Sequence, residues 1–361
     1  MKKNRRFIAV TIAIVILTVG IVAGSLLFHK IRTRHPLRPT LCDRTGRELL
    51  TDRRKFLFAK PVRQPQCGGT FAAAVLGHTV VKNGQRVGAA GVEHLIDRRG
   101  IRDGRLFLTL DAGIQEKCEM LLDRIFEYAA PEYAYVTVLD ADGALAAAAQ
   151  RPVIDLADRR KVAPRGMVFM ASTYVFPIPD AWMRLLGSRS DAPPEEKLKL
   201  GFNRKTGLFP GEGRGVIPGS GPQGSGNGGA KNHAQSATAL KFLLAYIGAA
   251  EKKPIPELKL LLPDAAPRPR LQVAGETKWH SMRWSPDRSV LSALGTAPVW
   301  GGAELYILLR IGFPRPLPAK YRATLETMIR HYPGAPSAVD YLNLQEMRSG
   351  IVSAKLPEVE P

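Results

Sequence analysis

The stretch that decides the fold is YAYVTVLDADGALAAAAQRP, residues 133–152. Apolar residues run through both halves, and the dipeptide Asp142-Gly143 lies between them. Asp-Gly is a strong signal for a tight turn, because glycine accepts the positive φ angles that such turns require. The stretch therefore predicts a β-hairpin.

The segment before the hairpin, RLFLTLDAGIQEKCEMLLDRIFEYAA, predicts a strand followed by a helix. Residues 107–110 have the apolar character of a strand. Asp111 comes next, and its carboxylate can accept hydrogen bonds from the first backbone N–H groups of a helix. Apolar residues then recur at helical spacing: Ile114, Cys118, Leu121, Leu122, Ile125 and Phe126.

The segments after the hairpin complete an α+β pattern. SATALKFLLAYIGAA (residues 236–250) predicts a helix, residues 289–316 predict two apolar strands around Trp300-Gly301-Gly302, and YRATLETMIRHY (residues 321–332) predicts a last helix. This order of elements predicts an antiparallel sheet flanked by helices.

An apolar run near the start of the chain predicts an N-terminal transmembrane helix. Residues Phe7 to Phe28 form 22 positions without a charge. As a helix they reach about 33 Å, enough for a bilayer core of about 30 Å. The run is longer than the apolar core of a cleaved signal peptide, about 7–15 residues. Basic residues lie on both sides of the run, so the positive-inside rule does not decide its orientation.

The net charge of +20 is concentrated beside this run. Residues 1–63 hold 15 lysines and arginines and only 3 acidic residues. Juxtamembrane basic residues attract anionic lipid head groups. We therefore expect a membrane partner and no nucleic acid, since no zinc, helix-turn-helix or aromatic-plus-basic motif accompanies the charge.

Three cysteines predict neither a metal site nor a cofactor. Cys118 lies on the apolar face of the predicted helix and is expected in the core. Cys42 and Cys67 could pair outside the cell or stay reduced, and the sequence leaves both states open. No CxxC or Cys/His cluster is present.

Several segments occur in an order typical of one enzyme family. They are DRTGRELL (43–50), VLGHTVVKNGQRVGAAGVEHLID (75–97), LTLDAGIQ (108–115), the hairpin 133–152, LGFNRKTGLFPGEGRGVIP (200–218) and LSALGTAPVWGGAELYILLRIGFPRP (291–316). Over residues 41–335 this order resembles the transpeptidase domain of class B penicillin-binding proteins, membrane-anchored enzymes that cross-link peptidoglycan. The landmarks are carried by Gly77, Gly88, Gly91, Val92, Glu93, Leu108, Thr109, Asp111, Gln115, Gly201, Thr206, Gly207, Pro210, Gly211 and Glu212.

The resemblance implies five regions along the chain. They are a basic segment (1–6), the transmembrane helix (7–28), a juxtamembrane pedestal (29–105), a transpeptidase-like domain (106–340) and a C-terminal tail (341–361). It also implies a single-pass protein of the cytoplasmic membrane, with the bulk of the chain on the extracytoplasmic, periplasmic side.

The family nucleophile position falls on Ser172 in ASTYVFPIP, residues 171–179. An active member has Ser-x-x-Lys, in which a lysine one helical turn later lies beside the serine and assists proton removal. Here the lysine position is Val175. Valine cannot take a proton, so the resemblance predicts that Ser172 is inactive.

The other two family motifs are also missing. Only about 25 residues separate Val175 from Leu200, where the family carries its Ser-x-Asn. The literal Ser225-Gly226-Asn227 comes after the PGE landmark at 210–212. Lys205-Thr206-Gly207 belongs to the FGxxTG landmark that precedes it. Before the last hairpin, where Lys-Thr-Gly is expected, the chain has Glu276 and Lys278 within GETK.

Three interpretations follow. The first is a catalytically inactive scaffold or regulator of peptidoglycan biogenesis, whose partners would be a polytopic glycan polymerase, other cell-wall synthesis proteins, peptidoglycan or a β-lactam. The second is an active D,D-transpeptidase in which Lys278 or Lys161 assists Ser172. The third is an unrelated basic membrane protein, which an antiparallel five-stranded sheet with flanking helices would exclude.

Overall fold

The structure is a computed structural model, and it describes residues 16–26, 37–54, 61–102, 104–157, 169–187, 199–215 and 235–332. The strands are β1 (Thr40–Cys42), β2 (Glu48–Arg53), β3 (Val62–Pro65), β4 (Thr79–Lys82), β5 (Gln85–Gly88), β6 (Arg105–Phe107), β7 (Tyr133–Asp140), β8 (Leu145–Arg151), β9 (Val175–Pro177), β10 (Ser236–Thr238), β11 (Lys278–Trp284), β12 (Val290–Pro298) and β13 (Glu304–Gly312). The helices are α1 (16–26), α2 (Ala73–Leu76), α3 (Gly91–Arg99), α4 (Ala112–Ala129), α5 (Met170–Thr173), α6 (Asp180–Leu185), α7 (Ala239–Ala250) and α8 (Ala319–Arg330).

A five-stranded antiparallel sheet in the order β11-β12-β13-β7-β8 forms the main body. Both predicted hairpins are confirmed, as β7–β8 and β12–β13. Gly143 closes the first hairpin with a φ of +77°, and a Cβ there would lie 2.5 Å from the Glu257 carbonyl oxygen. Glycine is therefore required at this turn by both its backbone angle and its surroundings.

Helices cover both faces of the sheet, as the sequence predicts. On one face α4 and α8 contribute Leu122, Ile125 and Leu325 to a core with Ala134 and Leu309. Asp111 caps α4 as expected, because its carboxylate accepts hydrogen bonds from the N–H groups of Gly113 and Ile114 at 3.0 and 3.3 Å.

On the opposite face, which we call the inner face, α5 and α7 pack against the sheet. Phe242 of α7 and Phe176 of β9 belong to a core that also includes Tyr135 of β7. The inner face therefore carries the segment that contains Ser172.

A smaller pedestal sheet, in the order β3-β2-β1-β6, lies beside the hairpin β4–β5 and is held by buried charges. Glu93 on α3 is fully buried, and its two carboxylate oxygens lie 2.6 Å from Arg38 Nε and 2.7 Å from Arg63 Nη2. Asp52 pairs with Arg86 at 2.8 Å. Glu93 and Asp52 thus each have a charged partner, which offsets the cost of burying a charge.

The predicted transmembrane run overlaps α1. Among the described residues, no helix is both long enough and apolar enough to cross a membrane. Residues 1–15, the segment 27–36 and the predicted tail 341–361 lie outside the described residues.

All three cysteines are free thiols. Cys118 is buried on α4, where the sequence predicts it, and Cys67 Sγ is 3.5 Å from the Glu48 carbonyl oxygen. The pairing of Cys42 with Cys67, which the sequence left open, is absent.

Candidate functional site

Ser172 lies on α5, a single helical turn pressed against the inner face. Its side chain is 3 % exposed. The Oγ donates a hydrogen bond to the Phe169 carbonyl oxygen at 3.0 Å. This hydroxyl is therefore both buried and already engaged with the backbone of its own turn.

The helix ends before it reaches the lysine position of the family motif. Tyr174 has φ −79° and ψ 117°, which is an extended conformation, and Val175 begins β9. Valine favours strands, and Pro177 keeps the residue before it extended and out of the helical region. Position 175 is therefore not one helical turn above Ser172, and its side chain is 39 % exposed.

The strand that replaces the helix is held by a distant segment. β9 pairs antiparallel with β10, and Val175 lies opposite Thr238. Thr238 is also the N-cap of α7, where its Oγ1 accepts a hydrogen bond from the Lys241 N–H at 3.4 Å. The local path after Ser172 is thus fixed by residues more than 60 positions away.

The loop that carries the PGE landmark closes on a carboxylate. Glu212 accepts hydrogen bonds from the Thr206 hydroxyl and from the N–H groups of Gly207, Leu208 and Phe209, the last three at 3.0–3.1 Å. Burial alone would raise the pKa of Glu212, but the hydrogen bonds together outweigh it and lower the pKa. Lys205-Thr206-Gly207 is therefore part of a structural loop, as the sequence predicts.

Lys241 is a buried lysine that the sequence analysis missed. It is 6 % exposed, and its Nζ donates to the carbonyl oxygens of Phe202 at 3.2 Å and Gly213 at 3.5 Å. The Gly213 N–H in turn donates to the Ser172 carbonyl oxygen at 2.9 Å. Burial lowers the pKa of Lys241, and Glu212 partly opposes this. The available signal was a single lysine inside an apolar helical run.

The remaining predicted positions are spread over the sheet edge. Lys278 is the first residue of β11, the edge strand, and Glu276 lies just before it. Both are exposed. Lys161 and Ser225-Gly226-Asn227 lie outside the described residues.

Within the described part of the chain, Ser172 Oγ has no hydrogen bond to a group that could act as a base. Its one hydrogen bond goes to a carbonyl oxygen. General-base assistance is typically worth about 10²–10⁴-fold in rate. In the described residues Ser172 is therefore a buried side chain whose hydroxyl is engaged by its own helical turn.

Solved structures with a similar architecture include crystal structures of penicillin-binding protein 3 from Mycobacterium tuberculosis. The apo form matches with a TM-score of 0.56 and 15 % identity, covering 91 % of this chain and 98 % of that one. The aztreonam complex gives 0.56 at 16 % identity, covering 90 % and 98 %, and the ampicillin complex gives 0.55 at 15 %, covering 91 % and 98 %. The chain has a penicillin-binding transpeptidase-like fold.

The chain shares this fold with the solved structures at only 15–16 % sequence identity. No protein-family model matches the chain, and no curated protein matches its sequence. The landmarks of the sequence therefore predicted a fold that the three-dimensional comparison confirms.

Proposed function

We propose that this chain is a catalytically inactive, penicillin-binding-protein-like domain that acts in peptidoglycan biogenesis as a scaffold or regulator. One observation carries the proposal. The Ser172 hydroxyl is bound to the Phe169 carbonyl, and α5 ends at Thr173, before the position where the family has its lysine. In the described part of the chain, position 175 therefore has neither the family's amine nor the helical turn that would present it.

The proposal includes a membrane anchor and a partner in the membrane. Its support is the uncharged run 7–28 with basic residues on either side. In this arrangement the body of the chain faces the extracytoplasmic side, and a polytopic glycan polymerase is the partner that the resemblance suggests.

Acylation by a fluorescent penicillin tests the inactivity. We expect no covalent label on the full-length chain under conditions that label an active class B penicillin-binding protein to completion. Ser172→Ala is the matched control, because it removes only the hydroxyl. Stoichiometric label that disappears in Ser172→Ala would overturn the proposal.

The second candidate function is an active D,D-transpeptidase with substitute residues. Lys241 favours it, since a buried amine with a lowered pKa is joined to the backbone of Ser172 through Gly213. Measured transpeptidase activity that Ser172→Ala abolishes would establish this function in place of the first.

A further inference from the structure

A row of polar side chains crosses the inner face of the main sheet beside α5. The strand register places Arg283 opposite Ser292, Ser292 opposite Arg310, and Arg310 opposite Tyr135. Side chains of directly opposed residues lie next to each other on the same face. The row therefore runs without interruption from the edge strand β11 across β12 and β13 to β7.

Arg310 brings an uncompensated positive charge into this row. Its Nη1 donates to Ser292 Oγ at 3.1 Å, and its guanidinium carbon lies 4.5 Å from the centre of the Phe176 ring. In the described part of the chain, neither Arg310 nor Arg283 pairs with a carboxylate. A guanidinium has five N–H donors, and among the described residues the hydrogen bond to Ser292 uses one of those on the half-buried Arg310.

Three tyrosines form an aromatic cluster at the β7 end of this row, where Tyr135 lies opposite Arg310. The Tyr133 ring stacks on Tyr135 at 6.4 Å between centroids and meets Tyr174 edge-on at 5.9 Å. Tyr133 can lie against β13 because Gly312 faces it, and a Cβ at position 312 would be 2.2 Å from that ring.

Tyr135 supplies an unpartnered donor inside this cluster. Its side chain is 1 % exposed, and its hydroxyl has no hydrogen-bond partner among the described residues. Burial raises the pKa of Tyr135, although Arg310 opposes the effect, so the phenol is protonated and can donate. Buried hydroxyls are nearly always hydrogen-bonded, and an unpartnered one points to a group that is missing.

We propose that Tyr133, Tyr135, Tyr174, Ser292 and Arg310 form an oxyanion-binding site, the tyrosine–arginine site, which takes the carboxylate or phosphate group of a ligand. The planar fork of N–H donors on Arg310 matches the geometry of such groups, and the tyrosine hydroxyls supply further donors. Arg283 lies exposed at the sheet-edge end of the row and adds positive charge there. Tyr174 directly follows the α5 turn that carries Ser172, so the site adjoins that turn along the chain.

The site does not use the Ser172 hydroxyl and is independent of the proposed inactivity. Penicillin acylation of Ser172 would overturn the proposed function and leave this site untouched. Absence of anion binding would overturn the tyrosine–arginine site and leave the proposed function untouched.

Titration calorimetry on the full-length chain in detergent tests the site, with sodium phosphate and sodium acetate as separate probes at constant ionic strength. We expect saturable binding of at least one anion, and the stronger of the two identifies the group as phosphate or carboxylate. Arg310→Gln should weaken it by about tenfold or more, because charge-assisted hydrogen bonds are lost. Tyr135→Phe should weaken it several-fold while leaving the net charge unchanged.

Arg322→Gln is the matched control, since Arg322 also lies over an aromatic ring, that of Trp284, at 5.7 Å but on α8. It should bind as the unmodified chain does. If Arg310→Gln loses its circular dichroism signal, Arg310→Lys and Ser292→Ala replace it and should each weaken binding. The proposal is overturned if neither phosphate nor acetate shows saturable binding. It is also overturned if the site variants bind the anion as well as Arg322→Gln does.

Discussion

At the scale of single residues, the proposed inactivity of the Ser172 region depends on position 175. A valine there removes the amine, which the sequence already shows. The structure adds that residue 175 is in β9, opposite Thr238, and no longer in the helix of Ser172. Side chains three residues apart face each other on a helix and not along an extended strand.

Restoring the lysine should therefore not restore acylation. Val175→Lys is expected to fold, because the side chain is 39 % exposed and surface substitutions usually change stability by only about 0.5 kcal/mol. We expect no covalent label from fluorescent penicillin. Label on Val175→Lys that is lost in the double variant with Ser172→Ala would show that an amine at this position does reach the serine.

At the scale of elements, the loop 206–212 and the pair β9–β10 hold the Ser172 turn in place. Gly213, next to the loop, donates to the Ser172 carbonyl oxygen at 2.9 Å, while Lys241 holds Gly213 from α7. The loop itself depends on one carboxylate, that of Glu212. The stability of this loop should therefore depend on the charge of Glu212, and so on pH.

Glu212→Gln should lower the free energy of unfolding by about 2 kcal/mol at pH 7, because hydrogen bonds to an ionised acceptor are lost. The pKa of Glu212 is lowered in the folded state, so its stabilisation is present above its ordinary pKa of 4.5 and is lost as the pH falls through the folded value. Urea unfolding at pH 7 and at acid pH measures both effects.

The difference between Glu212→Gln and the unmodified chain should shrink below about pH 4.5. Glu276→Gln, at an exposed glutamate before β11, is the control and should unfold as the unmodified chain does. A constant difference at all pH values would contradict the assignment of this stabilisation to the ionised carboxylate.

At the scale of the whole molecule, buried ion pairs join the start of the described pedestal to its helix. Arg38 lies just after the segment 27–36, and it contacts both Glu93 and Asp97 on α3, at 2.6 and 2.8 Å. Breaking a buried pair by removing one partner typically costs about 3–5 kcal/mol. The first described residues after the proposed anchor are thus held to α3 of the pedestal by Arg38.

Removal of residues 1–36 should release the protein from membranes. The 22-residue run in this segment can span about 33 Å as a helix. We expect the full chain to stay with membranes through salt and carbonate washes, and the truncated chain to be in the supernatant. Deletion of residues 1–6 alone, which removes basic side chains and leaves the run intact, should not release it. Release of the full chain by salt alone would contradict a transmembrane anchor.

The sequence by itself determined the parts that depend on neighbours along the chain. The Asp142-Gly143 hairpin, the Asp111 cap and the helical face with Cys118 were all visible there, while the loss of the three catalytic motifs stays a prediction from the resemblance. Turn chemistry, capping and periodicity are local properties, and so is the identity of a missing lysine.

Tertiary structure alone decided the geometry around Ser172. The β9–β10 pair and the hydrogen bond from Lys241 to Gly213 join segments about 30 to more than 60 residues apart. The alignment of Arg310 with Tyr135 likewise depends on strand register across the sheet. Local propensity carries no information about such partners, because burial and pairing between distant segments set which of several locally acceptable conformations the chain adopts.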